Sequence, residues 1–439
     1  MKRLFLFSTF LMTALLLTAQ SSDHNYIKVT TTSNFSGGNR IKVIYYDDMG
    51  REEQTVIVGG SPTGGSIVSA KDYDEYGREK RLWLQGAVSG NSTGNYTNRT
   101  TLENNISSSN DNDAKPYSLT QYELSPLNRP TVQYGPGAAW QANSTHSVRT
   151  EYLLNISGNA ALNCKKYTAT ITASSSGISV TIKNNGNWNS GSLIVTKVTD
   201  EDGLPTYTFY DRNGEIILSR QFTSSGNSSV SYDTYYIRDE WGNLQAVLPP
   251  MAADQTNTNN STYTGTHAAI ANYAYLYCYD SHFRQIGKKL PGCAWIYTVY
   301  DKSDYPILTQ DGNQRASNEW SIVIPDAWGR PCINGTITST SYNPTSTINN
   351  CVIATRNGTS SYSYSGLSFT FKKRMTDTYY DDYAFIGSNG FTSALVYSID
   401  NGYGQQETTR PVGLQTGVKS MLLDDASTSS YTYKAIYYC

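Results

Sequence analysis

Apolar and polar residues alternate in short runs along this chain. Glu215-Ile216-Ile217-Leu218-Ser219-Arg220-Gln221-Phe222 and Asn243-Leu244-Gln245-Ala246-Val247-Leu248 are clear cases. A period near two places one set of side chains on a core face and predicts half-buried β-strands. A recurring phrase punctuates these runs. Tyr46-Asp47…Gly50-Arg51 and Tyr73-Asp74…Gly77-Arg78 both read Tyr-Asp-x-x-Gly-Arg. Tyr210-Asp211…Gly214 repeats it with Glu215 in the Arg place. Asp239…Gly242 and Asp326…Gly329-Arg330 keep parts of it. Tyr279-Asp280…Arg284 has Phe283 for Gly, and Tyr300-Asp301 has Asp304 for Gly. A copy two residues longer runs from Tyr122-Glu123 to Arg129, and Tyr380-Asp381 lacks the Gly.

Many copies are spaced by 21–28 residues, and the larger gaps, 73 to 122 (49) and 122 to 210 (88), are near two and four units. From 46 to 73 is 27 residues, from 279 to 300 is 21, and from 300 to 325 is 25. A repeat of this length is one supersecondary unit. Tyr ends a strand with a large ring and a polar tip. Asp opens a turn by accepting backbone N–H groups. Gly supplies the positive φ of a type I turn with a G1 bulge, so Gly50→Val and Gly77→Val are expected to destabilise locally. Arg begins the return strand. Each unit is therefore a hairpin, which cannot bury its apolar face alone and must pair with the next. The expected fold is all-β: hairpins of this repeat forming one long, spiralling sheet, with little helix after residue 20.

Composition agrees. The chain has 439 residues, 12% of them aromatic, with 36 Tyr against 11 Phe. Charged residues are 16%, and 34 basic minus 36 acidic gives −2. No Lys/Arg stripe exists to neutralise phosphates, which argues against nucleic-acid binding. The first residues have a positive start at Lys2-Arg3, an apolar run from Leu4 to Leu17 and small Ala19 before Gln20. They read as an export signal over residues 1–19, and the run is shorter than the ~20 residues of a membrane span. Six cysteines follow, with no zinc spacing. Pairs such as Cys278–Cys293 or Cys332–Cys351 are permitted, as are free buried thiols.

Candidate chemistry is thin. Gly90-Asn91-Ser92-Thr93-Gly94 matches a nucleophile elbow, but polar linker sequence surrounds it. His24, His146, His267 and His282 are far apart. Asp111-Asn112-Asp113, Asp47-Asp48 and Asp381-Asp382 lack the Gly and Glu positions of a calcium loop. Trp241 and Trp328 precede the repeat Gly, in the slot that Tyr76 fills earlier, which points to packing on the next hairpin or to stacking on sugars. Segments 86–113, 222–231, 254–265 and 338–349 are rich in Ser, Thr and Asn and read as exposed loops. No catalytic residue, cofactor or metal site is assigned.

The phrases VTDEDGLPTYTFYDRNGEIILSR, IRDEWGNLQAVLPP and GKKLPGCAWIYTVYDKSDYPILTQDGNQRASNEW resemble successive segments of the Bacteroidota RHS/YD-repeat family. Asp23–Ile27 and Asn39–Ile41, leading into YYDDMGREEQTV, look like the domain of unknown function that opens many members. The resemblance implies an N-terminal family domain over 20–135 and a repeat array over 136–439. It implies a hollow β-shell that encloses a C-terminal toxin, released by an aspartyl protease core segment. Neither core segment nor toxin tip is found here, and a C-terminal truncation is the expectation. The function expected is a non-enzymatic, exported or cell-surface shell part that encapsulates or displays a downstream effector. The alternative is a surface adhesin or carbohydrate-binding protein with a glycan or protein partner.

Overall fold

The computed structural model describes residues 23–31, 40–141, 146–225, 228–359, 361–397, 411–422 and 430–438. The expected export signal and Cys439 lie outside these residues. The chain forms two compact units. The first comprises 1–153, 196–207 and 222–224, and the second comprises 154–195, 208–221 and 225–439.

In the first unit, strands Asn25–Thr31, Arg40–Tyr46, Glu52–Ile57 and Ser66–Tyr73 pair antiparallel in chain order. Ser66–Tyr73 then pairs with both Glu79–Trp83 and Gly86–Val88, and the meander continues through Tyr117–Tyr122, Pro130–Tyr134 and Ser147–Leu154. Val43, Tyr45, Val56, Val68 and Trp83 alternate along these strands into one core. The segment expected as an exposed loop at 86–113 instead contains helix Arg99–Ser109. Asn98 caps it by accepting the Thr101 N–H, and Leu102 and Ile106, one turn apart, are fully buried. Those two apolar residues suffice to fix the helix, although its composition is polar.

In the second unit, strands run from Ser228–Arg238 and Leu244–Leu248 through Tyr275–Tyr279, Gln285–Lys289, Ile296–Tyr300 and Pro306–Gln310. Glu319–Pro325, Pro331–Thr338, Phe371–Tyr380, Gln415–Met421 and Tyr431–Ala435 follow. Every pairing is antiparallel between successive strands. The repeat turns therefore all lie along one edge of this sheet, joined there by the long connection from Asp381 to Leu414, and the remaining connections lie along the other. A hairpin, Lys165–Ser174 with Gly177–Asn187, adds strand Thr262–Thr264 and forms a second, smaller sheet. It lies over the repeat sheet: Tyr167 meets Tyr235 edge-on, and a Cβ on Gly287 would collide with Ile178. The segment expected as a loop at 254–265 thus supplies a strand, and 222–231 lies largely in strands.

Cys164, Cys278 and Cys332 are buried, Cys351 is half-buried and Cys293 is exposed. All five are free, so neither permitted disulfide forms. Burial pushes the Cys278 and Cys332 thiols up to about 11, keeping them protonated.

Candidate functional site: a ladder of turns

The repeat residues assemble into one construction. In the turn from Asp47 to Arg51, the Gly50 N–H donates to the Asp47 carbonyl, and the Asp47 N–H donates to the Arg51 carbonyl. Asp47 Oδ1 accepts from the Met49 and Arg51 N–H groups, while Oδ2 accepts from Arg51 Nε at 2.8 Å. Turns 74–78, 280–284 and 326–330 repeat every one of these bonds. Gly50 and Gly77 have φ of +76° and +81°, which explains the glycine. Phe283 and Asp304 hold the same left-handed position at φ +61° and +63°.

The strands flanking each turn carry a one-residue bulge. Tyr279 faces Gln285, but Cys278 faces Gly287, so Ile286 is the extra residue. Adjacent Ile286 and Gly287 are then both buried, as are Ile307 and Leu308, and Cys332 and Ile333. The alternation read from sequence slips at these points.

Each turn is completed by the next. Arg51 stacks on Tyr73 at 4.4 Å, Arg78 on Tyr122 at 4.7 Å, Arg284 on Tyr300 at 5.0 Å and Arg330 on Tyr380 at 4.4 Å. The Tyr hydroxyl then donates back to the carbonyl of the residue after the turn, which follows that Arg in four cases and Asn243 in the case of Tyr279. Tyr73 reaches Glu52, Tyr122 reaches Glu79, Tyr279 reaches Leu244, Tyr300 reaches Gln285 and Tyr380 reaches Pro331. Burial raises the pKa values of these tyrosines, so they stay donors. Burial also pushes the Asp47, Asp74 and Asp280 carboxyls up. Hydrogen bonds from the Arg backbone and guanidinium outweigh that and leave each below its ordinary value.

Variants follow the same plan. In the longer copy, Glu123 takes the Asp role, and Arg129 grips both its oxygens at 2.7 and 2.8 Å. Arg129 stacks on Tyr152, a ladder position with no Asp or Gly beside it to mark it. Asp301 uses its second oxygen on the buried Val352 N–H. Asp239 is served by Asn243. Asp211 has Glu215 where others have Arg, and its turn also keeps the backbone bonds. Asp200 to Leu204 is the same turn without Tyr or Arg, and was not anticipated.

Two turns are opened by inserted chain. The Asp381 N–H donates to the Leu414 carbonyl, and its Oδ1 accepts from the Gly413 N–H at 2.7 Å, so 382–413 fills the place of a three-residue tip. Arg330 grips both Asp381 oxygens from the neighbouring turn. Likewise, Asn155 bonds to Leu193 through N–H, with its Oδ1 accepting from the Leu193 N–H, and the covering hairpin lies between them. Arg220, 4% exposed, latches that insertion. It pairs with both Asp233 oxygens and donates to the carbonyls of Ala160, Ala161 and Asn163.

The other candidate residues do not converge. Ser92 is exposed; a strand precedes it, but the helix after it begins only at Arg99, so no elbow forms. Asp113 spends its carboxylate on the Lys115 and Ala138 N–H groups. His267 caps a helix and His282 sits in a turn tip. Trp241 and Trp328 are 67% and 76% exposed, so packing on the next hairpin is at most the edge contact of Trp241 with Phe283. Among the described residues, no group of three or more His, Cys, Asp or Glu is placed to hold a metal ion. No helix among them is long and apolar enough to cross a membrane.

A domain of unknown function, DUF6443, matches residues 19–154. No curated protein sequence matches the chain. Among solved structures, the chain is similar to the TcdB2-TccC3 crystal structure, with 15% identity and a TM-score of 0.48 over 93% of this chain and 17% of that one. It is similar to TcdB2-TccC3-Cdc42, with 13% identity and a TM-score of 0.49, again over 93% and 17%. It is also similar to the Photorhabdus luminescens Tc holotoxin pore, with 13% identity and a TM-score of 0.48 over 91% and 15%. The chain thus spans about a sixth of the length of these structures.

Proposed function

We propose that this chain is a structural, non-enzymatic stretch of an exported RHS/YD-repeat shell of the Bacteroidota type, which encloses or displays a C-terminal effector. The observation that supports the reading most is the ladder. One turn's Arg is seated on the next turn's Tyr, so each repeat is completed only by its neighbour. Such a design extends a wall, and its repeated polar residues are spent on holding turns rather than on a reacting group. The test is to express the gene through its natural end and treat the product with proteinase K. The segment encoded after codon 439 is expected to resist digestion until the protein is unfolded in urea. Equal digestion with and without urea, or a gene that ends at that codon, overturns the reading.

A second reading is a surface protein that binds glycans. The exposed Trp241 and Trp328 favour it, since bare indole rings stack on sugar faces. A glycan array probed with the parent, Trp241→Ala and Trp328→Ala decides it. Binding indifferent to both changes rejects it.

A further inference from the structure

An arginine fills the fifth place of the turns at 47–51, 74–78, 280–284 and 326–330, and the turns at 200–204, 211–215, 239–243 and 301–305 lack it. At turn 211–215 the Arg place holds Glu215, and the next Tyr place holds Arg238. These two replacements pair with each other, Arg238 Nη2 to Glu215 Oε2 at 3.0 Å. Asp211 keeps its Oδ1 bonds to the Asn213 and Glu215 N–H groups. Among the described residues, however, it makes no ion pair, whereas Asp47, Asp74, Asp280 and Asp326 all do.

A cleft of 270 Å³ opens at this rung, between the covering hairpin and the repeat sheet. Asp211, Glu215, Glu240, Tyr236 and Trp188 line it, together with Arg238, whose guanidinium is held by Glu215. It is smaller than the ~300–1,000 Å³ of small-molecule sites, and suits a single side chain. The Trp188 ring already attracts a cation: Lys166 Nζ, on an exposed stem, stands 5.0 Å from its centroid. Lys165, the other lysine of the lining, is held away by Asn259 at 2.7 Å.

We propose that this cleft binds the guanidinium of an arginine side chain on a peptide partner, which seats on Asp211 against Trp188 in the manner of the missing repeat arginine. The chain itself shows the chemistry. A carboxylate with one oxygen committed to the turn offers the other to a planar donor, and an aromatic ring supports the flat cation. Lys166 is the competitor that the incoming group displaces. The inference does not depend on the shell reading.

The test titrates the full chain with N-acetyl-arginine amide, N-acetyl-lysine amide and N-acetyl-citrulline amide, following the Trp188 indole resonance by NMR. The arginine probe is expected to shift it saturably, the lysine probe more weakly, and neutral citrulline not at all. Asp211→Asn should weaken arginine binding about tenfold, since a charge-assisted bond becomes a neutral one. Glu215→Arg, which fills the cleft from within and leaves Arg238 without its ion pair, should abolish binding in a protein that still melts cooperatively. Citrulline binding as tightly as arginine, or arginine binding unchanged in Asp211→Asn or in folded Glu215→Arg, overturns the proposal.

Discussion

Turn 326–330 and the opened turn from Asp381 to Leu414 are neighbours on one sheet edge, and they differ in everything except their base. The first closes in three tip residues. The second admits 382–413, yet its Asp still takes the far carbonyl and the Gly N–H. Loop-closure entropy grows only logarithmically, so the longer loop costs about 2 kcal/mol more. The doubly bonded Arg330–Asp381 pair is of the right size to offset that. The fold is thus specified by the anchor pair and the neighbouring Arg, and the tip between them is free to vary.

The largest test removes the hold on an insertion. Arg220→Ala leaves the half-buried Asp233 with only the Tyr235 hydroxyl as partner, and strips three carbonyls of their donor. We expect a loss of about 3–5 kcal/mol in chemical denaturation, with early proteolysis near 156–163. A loss under about 1 kcal/mol would show that the insertion holds itself.

Next, Asp381→Ala, which removes both hydrogen bonds from Arg330, should cost about 2–3 kcal/mol by urea unfolding, against about 1 kcal/mol for Asp47→Ala at a closed turn held by its own backbone. Equal costs would mean that an opened turn needs no more anchoring than a closed one.

Acid titration extends the comparison to five of the turns. Arg330 holds the Asp381 carboxyl below its ordinary value, and Arg129 draws Glu123 down to about 2. Asp47, Asp74 and Asp280 are also depressed. A depressed folded pKa gives stability that is complete above the unfolded value of about 4 and is lost as pH falls through the folded value. Thermal melts should therefore drop between about pH 4 and pH 2, and Asp381→Asn should flatten that drop.

The smallest effects lie in the tips. Phe283→Gly and Asp304→Gly relieve a left-handed φ and should each stabilise by about 1 kcal/mol in urea unfolding. Gly329→Val should destabilise by about 1–3 kcal/mol, because its φ is +82° and its Cβ would strike Tyr305. Matching signs for the two kinds of change would refute the turn assignment.

Closed turns were legible because Asp, Gly and Arg fall within five residues. The opened turns were less so: Tyr380-Asp381 shows as a copy without its Gly, but nothing local marks Leu414 as its partner, and Asn155 and Leu193 carry no signal at all. Turn 200–204 was passed over because Leu204 supplies only backbone. Helix Arg99–Ser109 was read as loop because just two of its residues are buried. The Arg220 latch was invisible: Arg220 lies in an alternating strand, and the carbonyls it reads carry no side-chain signature.

The opened turns also set a schedule. A hairpin on a closed turn forms in roughly 1–10 μs, so it assembles as soon as its strands exist. At about 5–20 residues per second, synthesis of 382–413 takes a few seconds, and Asp381 must wait that long for Leu414. Arg330 is already in place through that interval, ready to hold the Asp381 carboxylate and keep the last strand in register until its partner arrives.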